Sequence, residues 1–152
     1  MRSLANAADR KSILERVTAL QPTNPRKWGR MTAHQMICHL NDSFKVGLDE
    51  RTASPATGLV QRTLLKWGGL WVPIPWPRGV PTRPEIEQGV GGTLPIDFES
   101  DRSNLLGLVD RFCEFHASTR RNAHPYFGVM REDEWLRWGY LHTDHHLRQF
   151  SA

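Results

Sequence analysis

The sequence predicts an all-α fold, a four-helix bundle, and three observations lead there. Four segments carry apolar residues at i, i+3, i+4 and i+7, the period of one helix face. No stretch shows a convincing strand. No internal repeat, phosphate-binding loop, dinucleotide fingerprint or C-x-x-C pair points to another architecture. With 152 residues, the chain fits one domain spanning 1–152 and can bury a core without staples.

The first helix is expected over 4–20, with Ile13, Val17 and Leu20 as its buried seam and Asp9, Arg10, Lys11, Glu15 and Arg16 mostly outside. Pro22 and Pro25 end it, and Trp28 in the following linker reads as a plug for the bundle end. The second helix, 32–48, opens on Thr32-Ala33-His34-Gln35, a T-x-x-Q capping box. Its apolar arc comprises Ala33, Met36, Ile37, Leu40, Phe44 and Gly47, with His39 on the flank. His34 points roughly 140° away from His39 at about 100° per residue, near the exposed cap, and is set aside.

Residues 50–97 are rich in Pro, Gly and Trp, which excludes one long helix. A short helix over 57–67 fits Leu59, Val60, Leu64 and Trp67, and the rest, including Trp71 to Pro77, reads as extended. So long an irregular crossover between the second and third helices suits a bundle in which those two run parallel. The third helix, 98–118, carries Leu105, Leu108, Val109, Phe112, Cys113 and His116 on one stripe, with Asp97 or Ser100 as its cap. His124 to Gly128 forms a turn with His124 as a loop anchor. The last helix, 131–150, opens with Glu132, Asp133 and Glu134, the charge bias suited to an N-terminus.

A net charge of +4 invites a nucleic-acid partner, but the basic residues are scattered in small groups and no helix carries a continuous basic stripe. No nucleic-acid partner is expected. Charges through residues 1–20 interrupt any signal peptide or membrane span, so no membrane partner and a reducing cytoplasmic location are expected. The two cysteines, Cys38 and Cys113, read as small core fillers.

The chemistry concentrates in the last helix. His142 and His146 stand about 40° apart on one helix face, within a roughly 120° arc shared with Trp135, Trp138 and Phe150, and Arg137, Asp144 and Arg148 fall on the far side. Histidines on a buried face need partners, either hydrogen bonds or a metal ion. His39, on a separate helix, is the natural third ligand. His145, on the edge of the stripe, and His116, in the last turn of the third helix, are weaker metal candidates. Asp42, three residues beyond His39, is the nearest carboxylate to orient it, or else a surface aspartate. Trp135 and Trp138 are candidate pocket walls on the last helix, as are Trp67, Trp71 and Trp76 from the crossover.

Three motifs resemble one known family. The capped helix Met31 to Leu40, the H-P-x-F-G turn His124 to Gly128 and the ending His142 to Phe150 are similar to a branch of the DinB/YfiT-like superfamily of metal-dependent four-helix proteins. The resemblance implies an up-down-down-up bundle. It also implies a divalent metal, zinc or nickel, held by one histidine of the second helix and an H-x-x-x-H pair of the fourth, which here fall on His39, His142 and His146. Relatives of that kind act as thiol-dependent transferases or isomerases using low-molecular-weight thiols. The chain departs from its branch at Arg131, where a capping threonine is expected. Three imidazoles leave coordination positions open, as in catalytic sites. The expected function is a metal-dependent transferase or hydrolase acting on a small molecule such as a low-molecular-weight thiol. The alternative is a non-catalytic metal-binding or stress-response bundle that works through protein partners or as a homodimer.

Overall fold

The computed structural model describes residues 1–56, 58–114 and 123–150, with the side chains of 59–62 outside that set. His116 and the side chains of Leu59 and Val60 therefore lie outside the described residues. The described chain is all-helical: α1 (Ala7–Ala19), α2 (Ala33–Gly47), α3 (Leu59–Trp71), α4 (Phe98–Glu114) and α5 (Glu132–Arg148), with a 3-10 turn at Pro84–Ile86. Among the described residues there is no strand, only an isolated bridge between His124 and Gly128. No described helix is long and apolar enough to cross a membrane.

Each helix start has a local chemical cause. The Asn6 side chain accepts from the backbone N–H groups of Ala8 and Asp9, so α1 begins three residues later than the apolar pattern suggests. In α2 the capping box forms in full. Thr32 Oγ1 accepts from Gln35 N–H at 3.1 Å, and Gln35 Oε1 accepts from Thr32 N–H at 2.9 Å. Asp97 caps α4 by accepting from Ser100 N–H at 2.8 Å. At α5 the expected threonine is replaced by Arg131, whose side chain is spent on Asp133. Glu134 nevertheless accepts from Arg131 N–H at 2.8 Å, so half of the box survives.

Four of the helices, α1, α2, α4 and α5, surround one core. α1 packs on α4 and α5, and α2 packs on the same two, so α1 and α2 lie across the bundle from each other. Ile13, Val17, Leu40, Phe44, Leu105, Phe112 and Trp135 fill the centre. At Gly47 α2 packs tightly on α4 and α5: a Cβ there would stand 2.6 Å from the Phe112 ring and 3.2 Å from Trp135. α3 lies outside this ring on α5. It runs four residues beyond the expected Trp67, and Gly69 in that extension packs against the Phe127 ring.

Two charged residues expected outside are buried, because backbone groups recruit them. Asp9 accepts from Ser3 N–H and from Arg2. Arg137 donates through Nε to the Leu70 carbonyl in the last turn of α3 and through Nη1 to the Arg2 carbonyl, 2.8 Å away. A helix's final carbonyls lack internal partners, so a buried guanidinium there fills a real deficit.

The crossover is fastened to α2 by Asp42. Its carboxylate is fully buried and accepts from Arg51 Nη1, Thr93 N–H and Thr93 Oγ1, each at 2.7 Å. Arg51 Nη2 donates in turn to the carbonyls of Glu85 and Gly91, at 2.6 and 2.5 Å. A pinned loop therefore lies against the His39 face of α2.

Candidate metal centre

Two helices and the pinned loop bring three imidazoles together. His39 comes from α2, while His142 and His146 stand one turn apart on α5. Ring centroids are 5.4 Å apart for His39 and His142, 4.8 Å for His39 and His146, and 4.7 Å for His142 and His146. His39 and His146 are buried, whereas His142 is half-buried and gives the group a side toward solvent.

Hydrogen bonds set the tautomers. His39 Nδ1 lies 3.2 Å from the Ile86 carbonyl, which can only accept, so Nδ1 carries the proton and Nε2 keeps its lone pair. His146 Nδ1 lies 2.7 Å from Gln149 Oε1, with the same result. His142 Nε2 stands 3.1 Å from His146 Nε2, and His142 Nδ1 is buried without a partner among the described residues. Hydrogen bonding within the chain thus leaves the three rings incompletely satisfied.

Burial is the main reason the three imidazoles are held neutral. It lowers the pKa of His39 and drives those of His142 and His146 well below the usual histidine range. Mutual repulsion adds to this, since a proton on any one ring opposes a proton on its neighbours. Neutral imidazole is the metal-binding form.

The donor set fits a divalent ion. Two nitrogens bound tetrahedrally to one zinc at about 2.0–2.1 Å stand roughly 3.4 Å apart. The His142 and His146 ε nitrogens are already at 3.1 Å, and the three donors lie within 4.8 Å of one another.

The surrounding residues divide differently from the sequence expectation. Trp138 backs the group, stacked on His142 at 5.0 Å and 24°. Trp135 does not wall it, because it sits one layer deeper between Phe112, His124 and Trp138. Of the crossover tryptophans, Trp67 is exposed and Trp71 lies under Arg137, while Trp76 approaches both His142 and His145 at 6.1 Å. His145 is outside the group of three and faces Trp28 and Trp76. Asp42 does not touch His39, since its oxygens are occupied by Arg51 and Thr93. It acts one step removed, by holding the loop whose Ile86 carbonyl orients His39.

A second donor group, His34, Cys38 and Asp101, ties α2 to α4. The His34 ring pairs with Asp101 at 2.7 Å and the Cys38 thiol donates to the same oxygen at 3.5 Å. His34 is therefore part of a helix–helix contact rather than a free cap residue. Burial, reinforced by Asp101, pushes the Cys38 thiol up to about 12, so it stays protonated.

A family model described as "Protein of unknown function (DUF1569)" matches residues 2–152. The chain belongs to the DUF1569 family. No curated protein and no solved structure matches it. For this DUF1569 member the chemistry must be read from the site itself. Ile86 and Gln149, which orient two of the three rings, carry no metal-ligand pattern in sequence. Gln149 does stand at i+3 from His146, a spacing at which helical side chains meet.

Proposed function

We propose that this DUF1569 member holds a divalent ion, zinc or nickel, on His39, His142 and His146, and acts as a metal-dependent transferase or hydrolase on a small molecule, with a low-molecular-weight thiol as the co-substrate. The observation that carries the reading is the anchoring of His39 and His146 through Nδ1, which leaves two ε nitrogens as acceptors beside His142. The likeness of its motifs to the DinB/YfiT-like superfamily supports the same ligand set.

An ion bound there would supply a Lewis acid that lowers the pKa of a coordinated water or thiol toward neutrality. The chain contributes the rest. Gln149 and Ile86 fix ring orientation, Trp138 closes the site behind His142, and the half-buried edge of His142 leaves one approach for a reactant. Three protein ligands rather than four suit a catalytic role over a purely structural one.

The test is elemental analysis of protein prepared without chelator or affinity tag. Near-stoichiometric zinc or nickel is expected in the parent and in His34→Ala and His145→Ala, with loss in His39→Ala, His142→Ala and His146→Ala. Full retention in a triad variant removes that residue from the site. A metal-free parent after metal-replete expression overturns the reading.

A further inference from the structure

A cavity of about 510 Å³ adjoins the histidine group, lined by Lys27, Trp28, Trp76, Arg78, His145 and Arg148 among others. Two of its walls touch the triad: Trp76 approaches His142 at 6.1 Å and His145 approaches His146 at 5.4 Å. The rings of Trp76 and His145 therefore stand between the cavity and the His142–His146 edge of the triad.

Its charge is one-sided. Among the described residues, three permanent cations line it and no carboxylate does. Arg148 alone has an acidic partner, Asp144 at 3.3 Å, which already serves Arg16 at 2.7 Å. The Lys27 ammonium has no hydrogen bond or ion pair among the described residues. The Arg78 guanidinium lies over the Trp28 ring, 4.3 Å from its centre, with its donors unclaimed by any described carboxylate. The cavity thus sets positive charge between the flat aromatic walls of Trp28 and Trp76.

We propose that this cavity binds the oxyanion, carboxylate or phosphate, of a small-molecule substrate, held by Arg78, Lys27 and Arg148 beside the Trp28 ring. The remainder of that substrate extends past Trp76 and His145 to the triad. That second statement rests on the reading of the triad as a metal centre, whereas the anion site does not. Guanidinium groups suit such oxyanions because their planar fork matches both.

The experiment separates the two statements. Metal-free protein is titrated by calorimetry with benzoate, phenyl phosphate and the neutral benzyl alcohol. Benzoate or phenyl phosphate should bind about tenfold or more tightly than benzyl alcohol, the stronger of the two showing which oxyanion the site prefers. The double variant Arg78→Ala, Lys27→Ala should lose that preference while keeping its circular dichroism, and Arg78→Lys should recover part of it. Equal binding of anionic and neutral probes, or an unchanged preference in the double variant, overturns the anion site.

Cobalt-loaded protein then tests the link to the triad through the thiolate charge-transfer band. 3-Mercaptopropionate should saturate it at lower concentration than 2-mercaptoethanol, and the double variant should erase the difference. Equal saturation by the two thiols in the parent overturns the link. Failure to bind cobalt while benzoate still binds overturns the metal reading and leaves the anion site standing.

Discussion

Gln149 decides which nitrogen of His146 faces its two partner rings, because an amide oxygen 2.7 Å from Nδ1 requires the proton there. Removing such an orienting partner costs metal sites about 10–100-fold in affinity. Gln149→Ala is expected to weaken zinc by that order in competition against a chromophoric chelator, with the helix content unchanged. Unaltered affinity would show that the ring needs no orienting partner. His124 makes the opposite use of its ring. Its Nδ1 accepts from the N–H groups of Tyr126 and Phe127, both at 3.2 Å, and burial pushes its pKa down to about 3. The unfolded chain, with a histidine pKa of about 6.5, binds the proton first as pH falls. The folded state therefore keeps the full contribution above that value and loses it at about 1.4 kcal/mol per pH unit on the way down. His124→Asn retains an acceptor for both N–H groups without the titration. Its unfolding free energy, measured by urea between pH 6 and pH 4, should fall less steeply than the parent's, by about one proton. Parallel slopes would mean that His124 is not held neutral in the fold.

The element that positions most of the site is α2, and the periodicity of its apolar residues makes it legible in sequence. The T-x-x-Q box, the buried arc through Phe44 and the flank position of His39 all appear where helical spacing puts them. The i, i+4 pair on α5 is legible for the same reason. What spacing does not reveal is the crossover, because its role depends on pairings between residues far apart in sequence. Asp42 meets Thr93, Arg51 meets Glu85 and Gly91, and the Ile86 backbone, which has no sequence signal, orients His39. Asp9 and Arg137 are missed for a related reason: charged residues are assigned outward by periodicity, yet unpaired backbone groups draw these two inward. Asp42→Asn tests the crossover's fastening. Loss of a buried charge opposite Arg51 is expected to cost about 3 kcal/mol, read by denaturant unfolding. It should also make the 84–93 amides exchange faster with solvent and weaken zinc, although residue 42 touches no ligand. Normal protection of those amides in the variant would mean that the loop is held by something else.

For the whole molecule, the three histidines join the second helix to the last, so an ion that binds only when they meet stabilises the folded state as a unit. At free zinc about 100 times its dissociation constant the gain is about 2.7 kcal/mol. Metal-free protein should melt at lower temperature than the zinc-saturated form, and His39→Ala should abolish the difference. A parent whose melting ignores excess zinc would separate the cluster from folding. The placement of α1 and α2 across the bundle from each other has a consequence during synthesis. Both helices leave the ribosome before either has a lateral neighbour, since α4 and α5 are translated later. Ile13, Val17, Met36 and Leu40, all sealed in the finished protein, must wait uncovered on the nascent chain. Packing of both helices is consequently deferred until α4 arrives, and is completed only with α5. In that interval the apolar faces are open to chaperones and to other unfinished chains.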